Sequence, residues 1–141
     1  MEIEKVSEFS REIIWSERKS ETVHVKGFPL RIWAQINPKN ESNYNEKCLG
    51  ISLLCDVPKK DKKWSCKCSV TLRIVSQKCD VADFKFEFDD DVFDNKMNSW
   101  GYKFISFAEL MDPEKGFYNK SEDKVTLAID VTVKEAKTED K

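Results

Sequence analysis

The chain has 141 residues, of which 40% are hydrophobic and 35% are charged, and its formal net charge is −2. This length accommodates one domain with one core, and the nine Phe, four Trp and three Tyr exclude a disordered composition. The near-neutral charge argues against a nucleic-acid-binding surface, and no apolar run approaches the roughly 18 residues that a membrane span needs.

The N-terminus and the cysteines indicate a reducing compartment. Residues Met1–Phe9 lack the basic and apolar regions of a secretory signal. An odd number of cysteines favours free thiols over a disulfide framework: Cys48, Cys55, Cys66, Cys68 and Cys79. We therefore expect a cytoplasmic or nuclear protein. Cys66 and Cys68 are spaced too closely for a zinc pair, and His24 is the single histidine, so we expect core thiols and no metal or cofactor.

Apolar residues recur at every second position through most of the chain, which is the pattern of β-strands. The first such segment, Phe28–Ile36, ends at the turn cluster Asn37–Asn40. Further segments have strand character: Cys48–Val57, Trp64–Val75, Val81–Phe88 and Lys124–Val133. The basic run Lys59–Lys63 lies between two of them and is interpreted as a solvated hairpin loop.

One short helix is predicted at Ser106–Met111. Ser106 is an N-cap candidate with Glu109 as its capping-box partner, and Asp112–Pro113 ends the helix because a proline restricts the residue before it. Six or seven strands, one short helix and no internal repeat indicate an antiparallel β-sandwich.

The segment Ser99–Phe117 combines its features in an unusual order. An aromatic–Gly–aromatic–Lys cluster, Trp100–Lys103, precedes the short helix, and the alternating strand Asp123–Val133 follows after a polar gap. This order resembles the C-terminal half of a MATH domain, the meprin and TRAF homology β-sandwich. Earlier landmarks match in the same order: Gly27–Trp33, Leu49–Leu54 and Trp64.

The resemblance covers residues from about Ile3 to Val133 and is to the divergent nematode MATH and BTB-MATH type. It implies an all-β fold, an eight-stranded antiparallel TRAF-like β-sandwich with one short helix near residues 106–111. Val6–Trp15 and the region of Phe117 are the candidates for the additional strands. Residues 1–134 would form the MATH domain, and residues 135–141 a frayed, charged tail or the start of a linker.

In the family, an extended partner peptide lies along the sheet by β-augmentation. Carried onto this chain, the resemblance implies that Trp100 and Tyr102 flank the peptide. Gly101 then permits close backbone approach, and Lys103 offers a charged donor. Other interpretations stay open: Trp100 and Tyr102 as core residues, Gly101 as a bulge position and Lys103 as solvated surface.

Several positions depart from the pattern of the family's adaptors. Ser52 stands where the adaptors have a pocket tyrosine, Val70 where they have a pocket phenylalanine, and Ser99 where they have an aspartate. The loop Asp89–Asn98 is longer and more acidic, and Phe93 would supply a groove aromatic from it. A smaller pocket with an acidic rim predicts a ligand that carries Lys or Arg. The acidic run lacks the spacing of a calcium-binding loop.

The sequence therefore predicts a protein-interaction module and not an enzyme, since it carries no His-Glu-x-x-His motif and no Cys–His signature. The expected partner is a protein or a short linear peptide. One hypothesis is the substrate-recognition arm of a cullin-3 ubiquitin-ligase adaptor, if a BTB domain follows. The alternative is a stand-alone scaffold or assembly protein that binds a folded partner without a ligase link. With no coiled coil ahead of the first strand, we expect the isolated domain to be monomeric.

Overall fold

The computed structural model describes the backbone of residues 1–40, 43–57, 62–94 and 96–140. Within these ranges, the side chains of residues 39–40, 43–45, 62, 101–104 and 138–140 are outside the description. Of the predicted basic loop Lys59–Lys63, residues 59–61 lie outside the described residues, whereas Lys62 and Lys63 belong to a strand, Lys62–Ile74, and not to a loop.

Nine strands and two single-turn helices make up this part of the chain. The strands are β1 (Glu2–Glu4), β2 (Glu17–Lys19), β3 (Val23–Val25), β4 (Phe28–Asn40), β5 (Asn43–Cys55), β6 (Lys62–Ile74), β7 (Phe84–Asp94), β8 (Ser99–Ser106) and β9 (Lys124–Asp140). The helices are α1 (Val6–Phe9) and α2 (Phe107–Leu110).

The strands form two antiparallel sheets that pack face to face. One has the strand order β1-β9-β6-β7, and the other has the order β2-β4-β5-β8, with β3 also paired to β4. The turn between β3 and β4 contains Lys26 and Gly27 at φ of 49° and 85°, the positive values that a tight hairpin turn requires. β7 and β8 follow one another in the chain but are outer strands of different sheets.

The core lies between the sheets and consists of alternate residues of the central strands. In β6 the inward residues are all at most 7% exposed: Trp64, Cys66, Cys68, Val70, Leu72 and Ile74. At one end of the sandwich, Phe9 of α1 packs edge to face on Phe107 of α2, with ring centroids 6.1 Å apart. Both helices therefore close the same end of the core.

The predicted helix and its cap are confirmed by α2. Ser106 has an extended conformation and its Oγ accepts a hydrogen bond from the backbone N–H of Glu109 at 3.1 Å. The first helix, α1, was not predicted, and the expectation of a strand in Val6–Trp15 is wrong. Val6 and Phe9 are both fully buried on one side of this turn, and a single turn is too short to show a helical period.

The all-β sandwich is confirmed, but the expected number of eight strands is wrong. The described residues contain nine strands, and the isolated bridge between Asn119 and Lys124 adds a tenth paired segment in the region of Phe117. The difference arises from β1, β2 and β3, which have three residues each. Such short strands do not complete a recognisable alternation.

Several segments that the sequence analysis treats as turn, loop or tail belong to strands. β4 continues through the predicted turn cluster to Asn40, and β6 begins at Lys62. β7 continues through the acidic run to Asp94, with a bulge opposite Ser69 at which Asp90 has a φ of 61°. β9 continues to Asp140 and pairs with the first residues of β6. The expected fraying of residues 135–140 is therefore not what the structure shows, because β6 supplies a backbone partner. The domain boundary at residue 134 stays a prediction.

In the described ranges, neither helix has the length or apolar character needed to cross a membrane.

Candidate functional site

The candidate site is the side of the sandwich where β7 and β8 run as outer strands of the two sheets. Asp94 orders the connection between them, because its Oδ1 accepts hydrogen bonds from the N–H groups of Lys96 and Met97 at 2.9 and 2.8 Å. The Asp94 N–H in turn donates to the Met97 carbonyl at 2.9 Å, and the Cys55 N–H of β5 donates to the Asn98 carbonyl at 2.8 Å. These contacts fix where β8 starts relative to both sheets.

Trp100 links the two outer strands. Its indole Nε1–H donates to the carbonyl of Val92 in β7 at 2.9 Å, and its ring packs against the core cluster that contains Phe93. Beside it, the side chains of Val92 and Met97 are 41% and 49% exposed. Trp100 is thus packed on the core on one side and linked to the outer strand β7 on the other, and its predicted role of flanking a peptide stays a prediction.

The remaining residues of the aromatic–Gly–aromatic–Lys cluster lie on β8 next to β5. Ser52 pairs with Gly101, and Ile51 pairs with Lys103, so Tyr102 is the extra residue of a β-bulge. The structure therefore brings Ser52 next to the predicted cluster. The side chains of Gly101, Tyr102 and Lys103 are outside the described residues, and their roles stay predictions.

Phe93 and Val70 lie in the core. Phe93 of β7 is 0% exposed and Val70 of β6 is 1% exposed, and both belong to the same buried cluster. Phe93 is directed inward because the bulge at Asp89–Asp90 shifts the alternation of β7 by one residue. Because both side chains are buried, a peptide on the surface would contact neither of them. Any effect of these residues on binding therefore acts through the core that supports the outer strands β7 and β8.

Phe86 and Phe88 were not assigned to the site from the sequence, although they lie on the outer strand β7. Both are half-buried, and their rings stack with centroids 6.5 Å apart, while Phe84 and Phe86 meet edge to face at 4.8 Å. The alternation of Phe84, Phe86 and Phe88 was visible in the sequence. It did not indicate that β7 would be an outer strand, which depends on the sheet order.

The acidic run of β7 is partly neutralised. Asp90 forms an ion pair with Lys134 of β9 at 3.0 Å, and Asp89 accepts a hydrogen bond from the Ser69 hydroxyl at 2.9 Å. The Lys134 ammonium lowers the pKa of Asp90, and Asp90 in turn raises the pKa of Lys134. Asp90 therefore keeps its charge at neutral pH, and Lys134 offsets that charge.

Three thiols cluster in the same core region. Cys66 and Cys68 have their Sγ atoms 3.4 Å apart, and both side chains are fully buried, as is Cys55. Burial, followed by the proximity of Cys66 and Asp56, raises the pKa of Cys55 to about 12, and burial also raises the pKa of Cys68. The expectation that Cys66 and Cys68 are small core residues is confirmed. Among the described residues, no three His, Cys, Asp or Glu side chains converge in a metal-binding group.

Two packed antiparallel sheets with a buried core between them, and with Trp100 bridging their adjacent outer strands, define an antiparallel β-sandwich. A family model for the MATH domain matches residues 1–131. The ubiquitin carboxyl-terminal hydrolase 7 of Drosophila melanogaster is 32% identical over 117 residues, which are 82% of this chain and 10% of that protein.

This chain belongs to the MATH domain family and is a protein-interaction module. It spans about a tenth of the length of the curated relative that it matches.

Proposed function

We propose that this domain binds a short, extended peptide of a partner protein along β8. The observation that carries the proposal is the position of β8 as an outer strand, with the Trp100 indole tied to Val92 of β7 at its edge. An outer strand offers backbone N–H and C=O groups to an added strand, and nearby side chains select the peptide residues.

The surface beside β8 supports an apolar peptide residue next to a basic one. The exposed side chains of Val92 and Met97 and the half-buried ring of Trp100 provide apolar contact area. The acidic run of β7 provides carboxylates, of which Asp90 is held by Lys134. The expected ligand therefore carries Lys or Arg beside its apolar residue, as the departures from the adaptor pattern also predict.

The bulge at Tyr102 supports the roles assigned to the cluster of β8. A bulge interrupts regular pairing and increases the local twist, which re-aims side chains at the edge of a sheet. Under this proposal, Tyr102 flanks the peptide together with Trp100, Gly101 permits close approach of the peptide backbone, and Lys103 donates to a polar peptide position.

The most specific version of the proposal is substrate recognition in ubiquitin pathways. The name of the Drosophila relative supports a link to ubiquitin. In this version the domain is a substrate-recognition arm, and it serves a cullin-3 ligase where a BTB domain is part of the same protein. The second version is a scaffold that binds a folded partner. In either version the domain itself binds and does not catalyse, and we infer that it is monomeric when isolated.

We also infer that the protein acts in the cytoplasm or nucleus. The support is its thiol chemistry, since Cys48, Cys55, Cys66 and Cys68 are buried free thiols. Thiols persist in this form in a reducing compartment.

A peptide-display selection tests the function. The wild-type domain is the bait, and the double variant Trp100→Ala/Tyr102→Ala is the subtractive control. We expect selected peptides to share a motif and to lose roughly tenfold or more in affinity with the double variant, as hot-spot aromatics do. The matched control is Ile13→Ser, because Ile13 is 79% exposed and its replacement should leave binding unchanged.

Folding must be monitored, because Trp100 also packs on the core. Circular dichroism and thermal unfolding identify a double variant that has lost its structure. Tyr102→Ala alone then replaces it, since this variant removes one of the two proposed groove aromatics and keeps Trp100 and its packing on the core. If a folded variant retains every selected peptide, or if no motif emerges, peptide binding at β8 is refuted and a folded partner takes its place.

A further inference from the structure

The outer edge of β9 is a second place where a strand can be added. β9 pairs with β6 along Leu127–Asp140, whereas on its other side β1 pairs only with Lys124–Thr126. The Met1 carbonyl and ammonium complete this contact through hydrogen bonds to the Leu127 main chain at 2.7 and 2.8 Å. In the part of the chain that the structure describes, no strand pairs with this side of β9 beyond Leu127.

Hydrogen bonds of the β9 main chain show which backbone N–H and C=O groups point to the side away from β6. The Leu127 main chain bonds to Met1, and the Val133 carbonyl accepts a hydrogen bond from Lys26 Nζ at 3.1 Å. The backbone N–H and C=O groups of the odd-numbered residues in this part of β9 therefore point away from β6. By the two-residue period of a strand, Ile129 and Val131 direct their N–H and C=O groups to the same edge.

An apolar cleft adjoins these groups. It has a volume of about 680 Å³ and lies between β9 and the β3–β4 hairpin. Its apolar lining includes Val23, Val25, Leu30, Ile129 and Val131, and Val23 is 62% exposed. Ile129 and Val131 are half-buried and pack against the core from this side, so side chains of an added strand would meet apolar surface.

We call the free edge of β9 at Ala128–Thr132, together with the cleft beside it, the slot. The residues at its two ends limit its length and determine its charge. Met1 closes the end at Leu127, and Lys26 closes the end at Val133. The Lys26 ammonium uses one of its three N–H groups on the Val133 carbonyl, so it can also bind a carboxylate. The other basic side chains that line the cleft already have partners. Arg31 forms an ion pair with Asp56 at 3.5 Å, and the Lys19 ammonium lies over the Trp33 ring.

We propose that the edge of β9 at Ala128–Thr132 is a second peptide-binding site, separate from β8. Its occupant is a short extended segment of a partner protein, with apolar residues at alternate positions toward the cleft and an acidic residue beside Lys26. The segment lies in line with β1 and adds a strand next to β9. The occupant differs from the basic peptide expected at β8, so the domain contacts a partner at two points of opposite charge.

A second copy of this chain fits the slot poorly. Antiparallel pairing of two β9 strands within Ala128–Thr132 is centred on Asp130, and the two Asp130 carboxylates would then face each other directly. Arg73 lies 3.1 Å from Asp130 within each copy and offsets only part of this repulsion. Any shift of the register moves the partner strand onto Met1 or Lys26. Charge and length thus both favour a short peptide of a different protein.

The test uses defined peptides and fluorescence anisotropy. The probes are fluorescein-labelled peptides in which valine alternates with threonine, with an aspartate at the first position in one and at the last position in the other. Matched peptides carry lysine in place of aspartate. We expect at least one aspartate peptide to bind the wild-type domain, and its lysine counterpart to bind more weakly.

Val131→Pro is the decisive variant. It removes an N–H that faces the slot, while the pairing of β9 with β6 uses the neighbouring residues, so the sheet is retained. We expect a loss of roughly tenfold or more in affinity for the aspartate peptide. The matched variant Val131→Ala keeps this N–H and loses only side-chain contact area, so it should lose clearly less affinity than Val131→Pro. Lys26→Glu should invert the preference for aspartate over lysine.

Amide chemical shifts decide the case even if Val131→Pro fails to fold. Titration of the wild-type domain with the aspartate peptide should shift the Ile129 and Val131 amide resonances, and the Trp100→Ala/Tyr102→Ala variant should bind it equally well. No binding, no shift at these amides, or loss of binding in a β8 variant that circular dichroism shows to be folded overturns the proposal. A dimer of the wild-type domain that Val131→Pro dissociates would assign the edge to a second copy and also overturn it. Peptide binding at β8 is judged by its own selection, so the two proposals fail independently.

Discussion

Some residues that the sequence analysis assigns to peptide binding have a structural role in this domain. Phe93 was assigned to the groove from its place in an acidic segment, but it is fully buried against Cys66 on the neighbouring strand. Trp100 combines both roles, because its ring packs on the core while its N–H holds Val92. Substitutions at either residue therefore need a measurement of folding before a loss of binding is interpreted.

Asp123 is a single residue that joins the N-terminal turn to the start of β9. Its carboxylate accepts hydrogen bonds from the Ser7 hydroxyl at 2.5 Å, from the Ser7 N–H at 3.1 Å and from the Tyr118 hydroxyl at 2.7 Å. The Ser7 hydroxyl, followed by the Tyr118 hydroxyl, lowers the pKa of Asp123. The ionised form is therefore the one that the folded state favours.

We predict that Asp123 contributes to acid-dependent unfolding. Because its pKa is lower in the folded than in the unfolded state, the stabilisation is present above the unfolded value of about 3.9 and is lost as pH falls through the folded value. Urea unfolding of the wild-type domain from pH 7 down to about pH 3 should show this loss. Asp123→Asn should be less stable than wild type at pH 7 and should lose less stability over that range. Equal pH slopes for the two proteins would contradict this role.

At the scale of elements, short segments depend on one or two contacts. α2 has four residues, so it gains little from helix propensity and depends on its cap and on the burial of Phe107 and Leu110. Its cap residue Ser106 is also the last residue of β8 and pairs with Cys48 of β5. The cap thus fixes where the outer strand ends and the helix begins.

We predict that Ser106→Ala destabilises the domain by about 1 kcal/mol, because it removes the acceptor for the Glu109 N–H. Urea unfolding at neutral pH measures the change in the free energy of unfolding. Ser106→Asp is the matched control, since aspartate is an equally good N-cap and should retain most of the stability. If both variants lose the same free energy, the serine acts through packing and not through the cap.

At the scale of the whole molecule, four thiols are buried and one is exposed, and Cys55, Cys66 and Cys68 of the four lie in the core between the sheets. Cys48, Cys55, Cys66 and Cys68 are buried, and Cys79 is exposed. Burial raises the pKa of Cys55 to about 12, so its reactive thiolate is scarce at neutral pH. Access to the buried thiols requires the sandwich to open.

We predict one fast-reacting thiol in the native domain. A chromogenic thiol reagent at neutral pH should modify Cys79 quickly and the other four cysteines only with global unfolding. In denaturant all five cysteines should react. Cys79→Ser should abolish the fast phase and leave the slow phase intact. A fast phase that survives this substitution would show that the sheets open locally at one of the buried cysteines.

The sequence by itself determined the all-β class, the long strands and the capped helix α2. Their signals are local, since alternation, turn residues and an N-cap act between residues close in the chain. Through the resemblance to the MATH family it also predicted a site that includes Trp100 and Ser52, and the register places Ser52 opposite Gly101. Only the tertiary structure decided that Phe93 and Val70 are core and that Phe86 and Phe88 lie at an edge. It also decided that, among the described residues, no strand pairs with one side of β9 beyond Leu127. These features depend on the bulge in β7, on the sheet order and on the short reach of β1, and each arises from contacts between residues far apart in the chain.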